Sequence, residues 1–200
     1  QCRARAARCV GTGVSATAML PRMRLSLLLA CSLLAACTGA TRPGPVAADT
    51  ATTTFIVVRH AEKVDASRDP DLSPAGRARA QALAESLEGR ELVAIHATEF
   101  KRTGQTVAPT ASAHALPVVT YASTQAAAEF AAHLKAAHPR GIVLIAGHSN
   151  TVPGIVAALC NCETAPMADH EYDRLSSIRV DADGRARLDV TRYGAASPTP

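Results

Sequence analysis

Phe55-Ile56-Val57-Val58-Arg59-His60-Ala61-Glu62-Lys63 is the stretch from which the rest of this chain can be read. Four apolar residues run straight into an arginine and a histidine, which is how a strand buried on both faces looks when it ends at a reactive site. The pattern recurs at Gly141-Ile142-Val143-Leu144-Ile145-Ala146, which runs into Gly147-His148-Ser149-Asn150. Between them, Leu92–His96 is a short strand followed by Phe100-Lys101-Arg102-Thr103. Two histidines and two arginines therefore follow strand-like runs.

Helical patterns separate these strands. Ser73 before Pro74 is an N-cap with proline at the first helical position, and Ala78, Ala82, Leu83 and Leu87 form one face of a helix ending near Gly89. Residues 100–114 read as a helix that Pro109 should kink or interrupt. Pro117–Tyr121 is a short strand, 124–138 a helix, and a further helix with Pro153 in its first turn reaches about Leu159. Arg174–Val180 and Arg185–Tyr193 flank Asp181-Ala182-Asp183-Gly184, a hairpin signal. Alternating strands and helices predict an α/β three-layer sandwich with a mainly parallel central sheet. Ligands of such sheets bind beyond the carboxyl ends of the strands, where Arg59, His60 and His148 all fall.

Composition narrows the function. The chain has 200 residues, 48% of them apolar, which suffices for a core of one domain. Its net charge of +4 is unevenly placed: five arginines and no acid occupy residues 1–36, leaving 16 basic against 17 acidic residues and a net of −1. That balance and an aromatic content of 3% exclude nucleic acid as the expected partner.

The N-terminal part reads as a processing signal. Met23-Arg24 opens onto ten residues from Leu25 to Leu34 dominated by apolar side chains, then Ala35-Ala36-Cys37, a run too short to span a bilayer. Leu34-Ala35-Ala36-Cys37 resembles the lipobox of bacterial lipoproteins, which implies lipidation of Cys37 at the mature N-terminus. The alternative is a secretory signal cut nearby. Residues 1–36 are thus expected to be a leader, with 1–18 an over-extended reading frame and Met19 or Met23 the start. Residues 37–53, rich in Ala, Thr, Pro and Gly, would be a flexible tether, 54–194 the domain and 195–200 a tail. The expected location is the bacterial cell envelope, periplasm-facing and attached only through the lipid; Thr38 after Cys37 fits the outer membrane. Cys160 and Cys162 are expected as ordinary half-buried cysteines at a helix end, with a disulfide as the alternative, since one intervening residue must meet a narrow geometry.

Two histidines and two arginines at strand ends suit phosphoryl transfer. A neutral imidazole serves as nucleophile, nearby cations keep it neutral, and the planar guanidinium fork matches phosphoryl oxygens two at a time. Arg59-His60-Ala61-Glu62, Leu72-Ser73-Pro74-Ala75-Gly76, Phe100-Lys101-Arg102-Thr103-Gly104-Gln105-Thr106 and Gly147-His148-Ser149-Asn150 together resemble the histidine phosphatase superfamily, with its phosphoglycerate-mutase-like fold. The likeness runs from about Phe55 to Tyr193 and is nearest to small bacterial secreted or lipoprotein members.

The resemblance implies that His60 becomes phosphohistidine, that Arg59 and Arg102 bind the phosphoryl oxygens, and that His148 completes the pocket and donates a hydrogen bond to the transferring group, with Asn150 as a further phosphate-binding residue. It implies a small phosphorylated substrate and neither metal nor cofactor. The general acid has no clear counterpart: Glu99 is the first candidate, with Glu62, Glu129, Asp169 and Glu171 as alternatives. The expected activity is phosphomonoester hydrolysis. A non-catalytic phospho-ligand-binding envelope lipoprotein is the alternative. A phosphomutase is disfavoured because the stretch between Thr103 and Gly141 leaves little for a cap. His96, His114, His133, His138 and His170 read as structural.

Overall fold

The computed structural model describes residues 52–198. The leader, Cys37 and nearly all of the tether lie outside these residues. Six strands and four helices alternate: β1 (Thr53–Arg59), α1 (Pro74–Ser86), β2 (Leu92–Thr98), α2 (Lys101–His114), β3 (Val118–Tyr121), α3 (Ala127–Ala137), β4 (Gly141–Gly147), α4 (Val152–Cys160), β5 (Arg174–Val180) and β6 (Ala186–Arg192). They form one sheet in the order β3-β2-β4-β1-β5-β6. The first four strands are parallel, and the β5–β6 hairpin adds two antiparallel strands beside β1.

Alternation along β1 distributes the core. Phe55 and Val57 face one side, where they meet Phe130 and Leu134 of α3 and Ile155 and Leu159 of α4. Ile56 and Val58 face the other, against Leu83 of α1 and Val107 of α2. The result is the three-layer sandwich expected from the sequence. Both central strands are sealed on two faces, and so both read as unbroken apolar runs.

The Leu72–Gly76 motif seats α1. Ser73 Oγ accepts from the Gly76 N–H at 3.0 Å, capping the helix, while the Ser73 N–H donates to the Glu62 carbonyl at 2.9 Å. A Cβ at position 76 would collide with that same carbonyl, so the site admits only glycine. Glu62 then receives Arg79 Nε and Nη2 in a buried fork, closing at 2.6 Å, and Arg79 Nη1 donates to Tyr193 O at 2.9 Å.

Two expectations need correction. Pro109 does not interrupt α2: its ring removes one hydrogen bond, while Val107 and Ala111 on either side stay packed in the core. Cys160 and Cys162 are joined in a disulfide rather than being ordinary cysteines. Asn161 turns in the left-handed region (φ 52°) and brings their Cα atoms within 5.2 Å, inside the bonding range. Beyond β6, Ser197 Oγ accepts from the Tyr172 and Asp173 N–H groups at 2.8 and 3.0 Å, and the Ser197 N–H donates to Asp173 Oδ2 at 3.1 Å.

Candidate active site

Arg59 ends β1 opposite Gly147, which ends β4, and the His60 N–H donates to Gly147 O at 2.9 Å, carrying the ladder one residue further. The parallel register thus delivers His60 and His148 side by side, their ring centroids 5.3 Å apart. Arg102, in the first turn of α2, brings Nη2 within 3.4 Å of His148 Nδ1. All four side chains line one pocket of about 610 Å³, together with Lys63, Phe100, Ser123, Thr124, Ser149, Asn150, Thr151, Asp169 and Tyr172.

The proton positions on both imidazoles follow from their partners. His60 Nδ1 lies 2.8 Å from the Ala61 carbonyl, which can only accept, so Nδ1 carries the hydrogen and the neutral ring keeps a lone pair on Nε2. For His148 a hydroxyl chain decides. Thr103 Oγ1 donates to Phe100 O at 2.7 Å, which leaves it to accept from Thr98 Oγ1 at 2.9 Å. Thr98 must then accept from His148 Nε2–H, also at 2.9 Å. That leaves His148 Nδ1 as an acceptor facing Arg102.

Both rings are held neutral. Burial, with Arg59, His148 and Arg102 close by, pushes His60 down to about 3, although the bond to Ala61 acts the other way. Burial and then Arg102 push His148 down to about 4. Arg59 is also lowered, chiefly by desolvation, but its Nη1 donates to the carbonyls of Ala168, Asp169 and Glu171 at 3.1, 2.8 and 3.2 Å. Its guanidinium lies 4.2 Å from the centroid of the Tyr172 ring, a cation–π contact. The Nε atoms of Arg59 and Arg102 are buried without a hydrogen-bond partner.

The rest of the Lys101–Thr106 motif is scaffold. Thr106 Oγ1 accepts from the Ala61 N–H at 2.9 Å and donates to Arg102 O at 2.7 Å, tying the loop after His60 to the helix that carries Arg102. Gln105 Oε1 accepts from the Leu72 N–H, and its Nε2 donates to Asp71, both at 2.8 Å.

Asn150 is exposed at the pocket mouth. Glu99 is exposed and outside the pocket lining: its two carboxylate oxygens accept from the Ser123 N–H and hydroxyl, each at 2.7 Å. Its slight desolvation acts upward, but the Ser123 bonds prevail and hold the carboxyl below its usual range. Glu62 and Glu171 are committed to arginines. Sequence reasoning missed Thr98, Phe100 and Tyr172. Thr98 carries no signal beyond ending a strand, but Phe100 and Tyr172 stand out in a chain with three phenylalanines and three tyrosines. Among the described residues, no group of three His, Cys, Asp or Glu side chains is arranged to hold a metal ion.

Residues 55–125 match the model of the histidine phosphatase superfamily (branch 1). No curated protein matches the sequence significantly. Among solved structures, the chain is similar to the protein histidine phosphatase SixA complexed with tungstate, with 23% identity and a TM-score of 0.59 over 70% of this chain and 96% of that one. It is similar also to mycobacterial glucosyl-3-phosphoglycerate phosphatase Rv2419c, with 16% identity and a TM-score of 0.59 over 72% of this chain and all of that one. YhfR of Bacillus stearothermophilus matches with 19% identity and a TM-score of 0.58 over 69% and 96% of the two chains. These likenesses are of fold, and residues 55–125, which match the histidine phosphatase superfamily model, hold three of the four motifs in sequence.

Proposed function

We propose that this protein is a phosphatase that hydrolyses phosphomonoesters or related phosphoryl compounds through a covalent phosphohistidine on His60. The observation that carries it is the pairing of a neutral His60, its Nε2 lone pair free, with the Arg59 and Arg102 side chains that line the same pocket. Two guanidinium groups give that pocket the fixed positive charge that a phosphoryl anion requires. Arg59 and Arg102 hold the phosphoryl oxygens and stabilise charge as it spreads over them. His60 Nε2 attacks phosphorus in line, the bond to the leaving oxygen breaks, and water then displaces the phosphoryl group from the ring nitrogen. His148 closes the pocket; as the phosphate draws Arg102 away from Nδ1, a proton taken up there becomes a hydrogen-bond donor to the transferring group. Asn150 lies at the mouth as a further donor to the oxygens.

The relatives named as phosphatases support the reaction class. A mutase would need a cover over its released intermediate. Residues 104–140 are instead the body of α2, then β3 and α3 with short connections, and the pocket stays open. The proposal extends to the cell envelope: Leu34-Ala35-Ala36-Cys37 supports lipidation of Cys37 and attachment to a membrane, facing the periplasm. No described helix is long and apolar enough to cross a bilayer.

The test is intact mass of the full chain after brief exposure to an aryl phosphate, quenched in acid and in alkali. A single phosphoryl group that survives alkali, is lost in acid and maps to His60 is the expected result. Equal turnover by His60→Ala and the parent would refute the His60 mechanism. A parent that binds vanadate yet neither turns over nor labels would support the phospho-ligand binder instead.

A further inference from the structure

We infer that Asp169 is the catalytic proton donor and acceptor of this site, the role for which Glu99 is the first candidate by sequence. The inference rests on the phosphatase reading. An ester of an ordinary alcohol departs as an alkoxide and needs a proton as its bond to phosphorus breaks. Among the residues that line the pocket, Asp169 is the one carboxyl. Glu99 has both oxygens occupied by Ser123 and stays ionised.

Asp169 is fastened at two points to the phosphoryl-binding set. Its backbone carbonyl accepts from Arg59 Nη1 at 2.8 Å, at the end of β1. Its side-chain Oδ1 accepts from Ser149 Oγ at 3.1 Å, the residue after His148 at the end of β4. The carboxyl therefore bridges the two strand ends that carry the phosphoryl pocket, and Oδ2 has no hydrogen bond among the described residues. Oδ2 is therefore the carboxyl atom left to pass a proton to and from the substrate.

The proton inventory closes. In the first step His60 Nε2 bonds to phosphorus, the P–O bond breaks, and Asp169 gives its proton to the departing oxygen. In the second, Asp169 takes a proton from water as the water oxygen bonds to phosphorus. The P–N bond then breaks, its electron pair returns to Nε2, and inorganic phosphate leaves with Asp169 protonated again.

The experiment is rapid-quench phosphorylation of the full chain with 4-nitrophenyl phosphate, whose leaving group needs no proton, and with glycerol 2-phosphate, whose leaving group does. Asp169→Asn should form phospho-His60 from nitrophenyl phosphate within a few-fold of the parent and accumulate it. From glycerol 2-phosphate its phosphorylation should fall about 100-fold. An equal loss with both substrates would make Asp169 a positioning residue acting through Arg59 and overturn the proposal, as would no loss with either. The same split in Glu99→Gln or Tyr172→Phe would assign the proton to that residue instead. Vanadate affinity within a few-fold of the parent checks that the variant is folded with Arg59 in place; otherwise Ser149→Ala must show the split in weaker form. A parent that neither labels at His60 nor turns over refutes the phosphatase reading itself, and this proposal with it.

Discussion

His96 gives the domain a measurable weakness in mild acid. It lies in β2 with 5% of its surface exposed, on the face covered by α3. Its ring centroid is 5.9 Å from that of Phe130 and 5.7 Å from that of His138, and Nε2 is buried without a partner. Burial first, then His138 and His133, push the imidazole from 6.5 down to about 4. Because the folded value is the lower one, the unfolded chain takes up the proton first as pH falls. The stabilising contribution is therefore complete above 6.5, declines between 6.5 and about 4, and is gone below that. At pH 5 this linkage amounts to about 2 kcal/mol, a large part of the ~5–15 kcal/mol that holds a domain together. His60 and His148 act in the same direction, so the comparison must isolate one ring. His96→Leu removes the titration and the orphaned nitrogen while filling similar space. Urea unfolding at pH 8 and pH 5 should show the parent losing about 2 kcal/mol more than the variant. Equal losses within about 0.5 kcal/mol would refute the assignment of the buried, neutral His96.

Thr98→Val removes the acceptor that keeps the proton on His148 Nε2. We expect turnover about tenfold lower, from losing roughly 1.4 kcal/mol of positioning, and a mixed tautomer of His148 in ¹⁵N spectra; a ring still wholly protonated at Nε2 would break the hydroxyl-chain argument. Gly76→Ala sets a methyl group against the Glu62 carbonyl and should cost about 1–3 kcal/mol in urea unfolding, with the loop after His60 displaced. Reduction of Cys160–Cys162 opens a three-residue ring and should lower stability by about 1.5 kcal/mol, read as a drop in Tm that Cys160→Ser/Cys162→Ser reproduces and that reductant does not deepen.

How legible each part was depends on whether the signal was local. Phe55–Val58 and Ile142–Ala146 announce themselves because a strand sealed on two faces has no polar side to show. Ser73-Pro74 marks the start of α1 for a similarly local reason, and the capping bond is there. Arg59, His60 and His148 were legible as strand-end residues, and the parallel β1–β4 register gathers them without any further design. Pro109 and the cysteine pair were misjudged because the deciding facts are tertiary or conformational: core packing on both sides of the proline, and a left-handed Asn161. Thr98 was invisible, since only the fold sets its hydroxyl between Thr103 and His148.

The same distinction bears on where the proton donor is found. Leu72–Gly76 caps and seats α1, and Gln105 and Thr106 tie its loop to α2, so much of the recognisable pattern is scaffold for the four side chains, Arg59, His60, Arg102 and His148, that line the pocket. Asp169 and Tyr172 lie instead on the irregular segment between α4 and β5, which has neither helical nor strand periodicity to expose them. That segment is held by Arg174 on the carbonyls of Ala165 and Pro166 at 3.0 and 2.9 Å, and by the Glu171 carboxylate shared between Arg174 and Arg192. On the proposed mechanism the sheet would set the position of phosphorus, and the 161–173 segment would set what the leaving group meets. Substitutions at Glu171 or Arg192 should therefore alter the ranking of substrates by leaving group more than the affinity for vanadate. Matched losses in both would mean that the segment serves Arg59 alone.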